Sequence, residues 1–504
     1  MTRTFYVTTP IYYVNAAPHL GHAYTAIAAD VMARAARARG DDTFFLTGTD
    51  EHGEPIALAA EREGVPPQEL ADRNAERFRA LMPLLGVSND FFIRTTDEGH
   101  ITRVQEILQR VHDAGHVYKG IYEGWYCPRC ADFKTDQEAG DDGLCPIHRI
   151  PLIREREENY FFRLSAFQGQ LEQLYAERPD FVLPRHHFNE AQSFIAGGLR
   201  DVSLTRGKLG WGIPVPWDPA HVFYVWFDAL LNYVTALGYA HEGDDLLERY
   251  WPADFHLIGK DILKFHAVYW PALLLAAGLE LPRHLFVHGF LLSPHNDGLE
   301  KMSKSRGNVV DPFEIVERFG ADALRHYLFR EVTFGRDGPV SLESFVGRYE
   351  TELANEYGNL ARRTTEMLRR FLDGRVPDVE LDKELAAELG SLGDEVAALL
   401  DRAELSAALE QIWQRVRRLN RYVEEQAPWQ LAADAEQRPQ LERVLASLAE
   451  GLRVVTVALA PYLPVSTERL LGALGRPQLD DRRFASHGWG GTVSELAPLF
   501  PKQL

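Results

Sequence analysis

Between Lys301 and Gly307 the chain reads KMSKSRG, so three cations (Lys301, Lys304 and Arg306), two hydroxyls and a glycine fall within seven consecutive residues. The cluster stands out because the chain as a whole is acidic, with 54 Lys and Arg against 73 Asp and Glu and a formal charge of −19. A basic loop hinged on Gly307 can bring positive charge to a pyrophosphate as it departs, which is electrostatic stabilisation of a transition state. A second stretch, PHLGH, sets His19 and His22 beside Gly21 at the mouth of a strand-to-helix turn, where free N–H groups and the helix dipole favour an anion such as phosphate. A third, TGTDEHG, ends an apolar run with Asp50, Glu51 and His52, and a carboxylate there can hold an ammonium group. A fourth, Gly259 to Ile262 (GKDI), offers Lys260 and Asp261 to a ribose or a phosphate. Each stretch alone also reads as an ordinary cap or solvated turn; HLGH on a βαβ unit, followed at a distance by KMSKS, is a strong signal.

All three cysteines fall between positions 127 and 145, and with a histidine they form C-x2-C-x14-C-x2-H from Cys127, Cys130, Cys145 and His148. Three thiolates and an imidazole at this spacing suit tetrahedral zinc, and a closed set of four makes the site structural, with one ion per chain. The ion would pin an insertion that has little core of its own.

These residues must be positioned by regular elements. TFYVTTP is a β-branched and aromatic run that reads as a strand; an Ala-rich amphipathic helix closed by Gly40 follows, then the buried strand DTFFLTGTD, and together they make a βαβ unit. The same grammar returns in DFHLIGKDILKFHAVYWPALLLAAG and RHLFVHGFLL. The hundred or so residues between the two halves, with the cysteines and the Pro-rich WGIPVPWDP, read as an insertion in a doubly wound sheet. From about Ser344 the chain turns helical, with Leu353, Tyr357, Leu360, Thr364 and Leu368 on one face and similar periodicity to about residue 473. Arginines gather on this region, in NLARRTTEMLRRF and RVRRLNRYVEEQAPW, and are candidate nucleic-acid-facing patches. Trp429, after Pro428, is a ring that can stack an unstacked base.

At 504 residues the chain predicts three or four domains of about 100–200 residues each. No apolar run reaches the roughly 18–20 residues of a membrane span, and the N-terminus lacks a signal-peptide core, so the cytoplasm is expected and a membrane is not. The acidic balance argues against non-specific nucleic-acid binding, so any such partner must meet a local basic face.

With PIYYVNAAPHLGHAY, TGTDEHG, YVWFDALLNYV, GKDI, FVHGF and KMSKSRGN along its length, the chain resembles the class I aminoacyl-tRNA synthetases, most nearly the methionyl-tRNA synthetase family. The first signature carries Leu20 where its name has isoleucine, a conservative change. The resemblance implies an α/β fold: a Rossmann-type parallel nucleotide-binding sheet interrupted by a zinc-bearing connective insertion, followed by an α-helical anticodon-binding bundle. The expected boundaries are 1–116 and 221–290 for the catalytic halves, 117–220 for the insertion, 291–345 for the KMSKS region and 346–504 for the bundle. It implies an ATP-dependent ligase that joins L-methionine to tRNA(Met) through methionyl-adenylate, with magnesium carried by ATP. Methionine would meet Ile11, Tyr13, Asp50, Trp226, Ala229, Leu230, Tyr233 and His288. The ATP side would take His19, Gly21, His22, Gly259, Lys260, Asp261 and Lys304, with His19, His22, Lys301 and Lys304 catalytic, and Arg206 approaching the site. Asn359, Arg363 and Trp429 would read the anticodon. Many family members continue into a dimerising, tRNA-binding module; the sequence stops at LFPKQL without it, so a monomer is expected. Three other readings share part of this pattern. A synthetase for leucine, isoleucine or valine would carry a large editing insertion, a non-catalytic tRNA-binding protein has no use for leaving-group cations, and a small nucleotidylyltransferase needs no helical domain.

Overall fold

The computed structural model describes residues 2–128, 132–134, 136–146, 149–241, 243, 245–295, 298–301, 311–479 and 482–502. Its centre is a seven-stranded sheet in which Tyr12–Tyr13, Asp42–Asp50, Thr4–Thr8, Phe255–Gly259, His284–His288 and Val182–Leu183 lie side by side, with Phe91–Arg94 also paired to Asp42–Asp50. Every pairing is parallel, as β-branched and aromatic runs buried on both faces require. Thr4–Thr8 passes through the helix Leu20–Ala38 to Asp42–Asp50 on one side, and Phe255–Gly259 passes through Trp270–Ala277 to His284–His288 on the other. Thr4–Thr8 and Phe255–Gly259 are neighbours, so the winding reverses between them and opens a crevice at the strands' carboxyl ends.

The insertion departs from that sheet. Val117–Cys127 and Ile153–Phe162 pair antiparallel from Val117↔Phe162 to Tyr126↔Ile153, with Asp132–Lys134 and Val202–Ser203 on their outer edges. At its far end Cys127 and Cys145 are fully buried in a small cluster with Ala139 and Leu152. Cys130 and His148 lie outside the described residues, and among the described residues no group of three or more His, Cys, Asp or Glu is disposed to hold a metal.

The helix Leu20–Ala38 departs from its amphipathic reading, because it is buried almost all round. The sheet covers one side and the helical region the other, as one apolar core running from Phe5 and Tyr24 to Trp413 and Leu452. A buried polar joint secures this contact. Arg325 gives hydrogen bonds to Asp30 at 2.6 Å and to the carbonyls of Leu85, Pro461 and Tyr462, while Arg34 holds the same Asp30 carboxylate at 2.7 Å. Burial alone would raise the Asp30 pKa, but the two guanidiniums hold it below the ordinary carboxylate value. Leu353, Tyr357, Leu360, Thr364 and Leu368 are buried on one face, although Tyr349–Gly358 is π-helical before the α-helix Asn359–Leu372 begins.

Candidate active site

Asp50 ends its strand in the crevice, 3% exposed. The His52 backbone N–H points at its carboxyl, yet Oδ1 has no hydrogen-bond partner. Burial, and after it the charge of Asp228, raises the Asp50 pKa well above the ordinary value. A buried carboxyl oxygen left without a donor suits a ligand that brings one, such as an ammonium group.

Aromatic rings form the wall beside it. Tyr13 meets Trp226 edge to face at 6.3 Å, and Trp226 lies flat on Phe265 at 3.7 Å, its buried indole N–H without a partner. Trp226, Ala229 and Leu230 share the short buried helix Val225–Leu230, and Ile11 packs against the same cluster. Tyr233 is pinned from behind. Its hydroxyl donates to His266 Nε2 at 2.8 Å, because His266 Nδ1 gives its proton to the Ile262 carbonyl, and its ring stacks on His256 at 4.1 Å. Burial lowers His266 to about 4 and takes His256 well below 6.5, so both imidazoles are neutral supports. His288 is placed differently from the other expected wall residues. Its Nε2 bonds Thr25 at 2.7 Å and its ring packs on Tyr24, so it is anchored to the first helix.

His19 and His22 form a reciprocal cap. His19 Nδ1 accepts from the Gly21 N–H and His22 Nδ1 accepts from the His19 N–H, both at 3.1 Å, while the rings stack at 3.7 Å. With Nδ1 of each ring accepting, the proton of each neutral ring sits on Nε2, making two donors beside a helix N-terminus. Gly21 lies close under this cap: a Cβ there would meet His19 Cε1 at 3.0 Å.

Gly259 ends the other central strand, and a Cβ on it would stand 2.6 Å from the Asp261 carboxylate. Lys260 pairs with Asp337 at 2.6 Å over the Phe290 ring, so meeting a phosphate means exchanging one anion for another. The strands Leu291–His295 and Gly298–Lys301 form a hairpin that sets Lys301 opposite Leu292, four residues past His288. Lys304 lies outside the described residues. Arg206 is buried with its guanidinium over Tyr224 at 4.0 Å, in the wall of a pocket of about 110 Å³ between Gly53, Val225 and the insertion's Tyr126.

The sequence reading names Glu51 and His52 but not their partners in the polar layer beneath Asp50, which are Arg94, His100 and Asp228. Glu51 is fully buried and takes a bidentate pair from Arg94 at 2.8 and 2.7 Å. Asp228 accepts from His52 Nδ1 at 2.7 Å and from His100 Nε2 at 2.8 Å. One signal was available: Asp228 is the single charge in the apolar run VWFDAL.

On the helical region Arg363 reaches across to Trp429, 5.8 Å from its ring centroid, and pairs with Glu424 at 2.8 Å. Trp429 is 42% exposed, and Asn359 opens the helix that carries Arg363. These three lie far along the chain from the crevice residues, on the helices Asn359–Leu372 and Pro428–Leu431.

Comparison with known proteins agrees with this geometry. A family model described as tRNA synthetases class I (M) matches residues 5–151 and 147–365. The chain is 46% identical over 479 residues to a methionine–tRNA ligase of Caldanaerobacter subterraneus subsp. tengcongensis, covering 94% of this chain and 74% of that one. It is 42% identical over 512 residues to the enzyme of the same name from Thermotoga maritima, covering 99% and 80%. Mycobacterium tuberculosis methionyl-tRNA synthetase in complex with methionyl-adenylate superposes with a TM-score of 0.93 at 42% identity, over 99% of this chain and 100% of that one. The apo form gives 0.87 at 38% identity, over 100% and 99%. The chain belongs to the methionyl-tRNA synthetases of class I.

Proposed function

We propose that this methionine–tRNA ligase activates L-methionine in the crevice where the winding of the sheet reverses, and the observation that carries the assignment is the unpartnered Asp50 oxygen beside the Tyr13, Trp226 and Tyr233 rings. Asp50 neutralises the α-ammonium. The polarizable thioether gains from the aromatic faces, with Ile11, Ala229 and Leu230 completing the apolar wall and His288 closing its far side. A carboxylate oxygen of methionine attacks the α-phosphorus of ATP; the bond to the bridging oxygen breaks and pyrophosphate leaves with that electron pair. His19 and His22 present their Nε2–H groups to the phosphates, and Lys301 and Lys304 stabilise the leaving group. Gly21, Gly259, Lys260 and Asp261 form the rest of the ATP side, and magnesium travels with ATP. The 2′ hydroxyl of the terminal adenosine then attacks the activated carbonyl, and AMP leaves. No side chain becomes covalently linked; catalysis is positioning and electrostatics.

The same reading divides the chain at 1–116, 117–220, 221–290, 291–345 and 346–504, with Asn359, Arg363 and Trp429 meeting the anticodon. Zinc fits the tip of the insertion, where two thiols are buried in a cluster too small to hold that end of the hairpin by apolar contact alone. Cys127, Cys130, Cys145 and His148 would hold it, and its contribution is to folding. The enzyme works in the cytoplasm.

The test is ATP–pyrophosphate exchange with methionine, leucine, isoleucine, valine or cysteine as the amino acid. Exchange with methionine alone, abolished in Lys304→Ala, is expected. Exchange that is as fast with leucine or isoleucine overturns the pocket assignment, and full activity in Lys304→Ala overturns the role of the loop.

A further inference from the structure

Asp228 is 0% exposed and held from both sides, by His52 Nδ1 at 2.7 Å and by His100 Nε2 at 2.8 Å, with His100 itself bonded through Nδ1 to Thr235 at 2.6 Å. A carboxylate only accepts, so both nitrogens facing it carry protons. Asp50 lies two residues before His52 and faces its backbone N–H, with one oxygen unpartnered. Two carboxyls thus share one buried region, and only one of them has been given donors by two side chains.

We propose that Asp228 is a positioning residue, kept ionised by His52 and His100, whose fixed charge makes Asp50 hold a proton before methionine binds and release it to solvent when the ammonium group arrives. The inference rests on the assignment of Asp50 to the α-ammonium and adds a proton to that binding step. The ammonium replaces the carboxyl proton as the positive partner, and one proton passes to solvent for each methionine bound. The two shifts agree with this division of labour. Burial and Asp228 push Asp50 up, whereas His52 and His100 outweigh burial and hold Asp228 below its ordinary value. The other groups facing Asp50 are Glu51, the next residue in the chain, bound by Arg94, and Tyr233 from the segment after Asp228. Neither gives Asp228 a hydrogen bond; the histidine pair does.

The experiment is calorimetric titration of methionine into the full chain, in two buffers of different ionisation enthalpy, from about pH 5.5 to about pH 8. The native protein is expected to release protons as methionine binds, fewer as pH rises, with affinity falling toward acid pH by at most about tenfold per pH unit along the acid limb. In Asp228→Asn that limb moves to lower pH and proton release at the acid end falls. His100→Leu does the same, because the displaced proton now has Asp228 to go to, whereas His100→Gln keeps a donor on Asp228 and behaves like the native chain. Native proton release in a folded Asp228→Asn protein overturns the inference; if that variant does not fold, equal release from His100→Leu and His100→Gln overturns it. Should Asp50→Asn bind methionine as the native chain does, the ammonium assignment itself fails. Should Asp50→Asn lose methionine while Asp228→Asn titrates natively, only the role of Asp228 fails.

Discussion

The crevice at the sheet edge and the Arg363–Trp429 corner both gather charged and aromatic side chains, but they keep their charges in opposite ways. In the crevice Asp50 is 3% exposed and one of its oxygens lacks a donor, so a missing partner there is felt at low dielectric. At the corner Arg363 is paired with Glu424, whose side chain is 61% exposed, and Trp429 stands 42% open to water. An exposed pair of this kind is worth about 0–1 kcal/mol, so it can be traded for a phosphate or a base at little cost. The crevice offers a small ligand a buried carboxyl with one oxygen left open. The corner offers groups that water and carboxylates hold only provisionally, which suits a large polyanion that docks and leaves.

Substitutions can break this contrast. The largest effect is expected from Asp50→Asn, which leaves the ammonium buried without its counter-charge: methionine-dependent exchange should fall by about 3–5 kcal/mol in kcat/KM, while tRNA binding measured by filter retention is unchanged. An equal loss of tRNA binding would show that the two regions are not independent. Acid should come next. Unfolded His256 and His266 take protons near pH 6.5, but His266 in the folded chain does so only at about 4 and His256 well below its ordinary value. Stability is therefore fully present above about pH 6.5 and is lost as pH falls from there toward 4, by up to about 1.4 kcal/mol per unit for each histidine; urea melts at stepped pH read it. His266→Gln should flatten part of that slope. Trp429→Ala should lower kcat/KM for tRNA by about 1–3 kcal/mol and leave amino-acid activation at the native rate. The smallest change is expected from Glu424→Gln, which removes the exposed partner of Arg363: less than about 1 kcal/mol on aminoacylation, visible chiefly as an altered salt dependence.

Much of the site was legible because its parts are local. HLGH can be read as a cap because the reciprocal bonds span three residues, from His19 to His22. Asp50, Gly259 and His288 could be placed on one rim because each ends a strand whose pattern is plain. What escaped was non-local. His100 meets Asp228 across 128 positions, and Arg325 meets Asp30 across 295. The first helix was read as amphipathic because its own residues say nothing of the bundle that covers its second side. His288 was assigned to the methionine wall by resemblance, and its bond to Thr25 comes from the other half of the sheet.

By itself, then, the sequence determined the elements, their order and the chemistry offered at each strand end, since propensity, periodicity and turn composition act over a few residues. Which carboxyl is left open to a ligand, and which is tied down by histidines, was decided only when distant strands and helices closed over them. Burial and the nearest charge set the state of an acid, and both are properties of the packed chain.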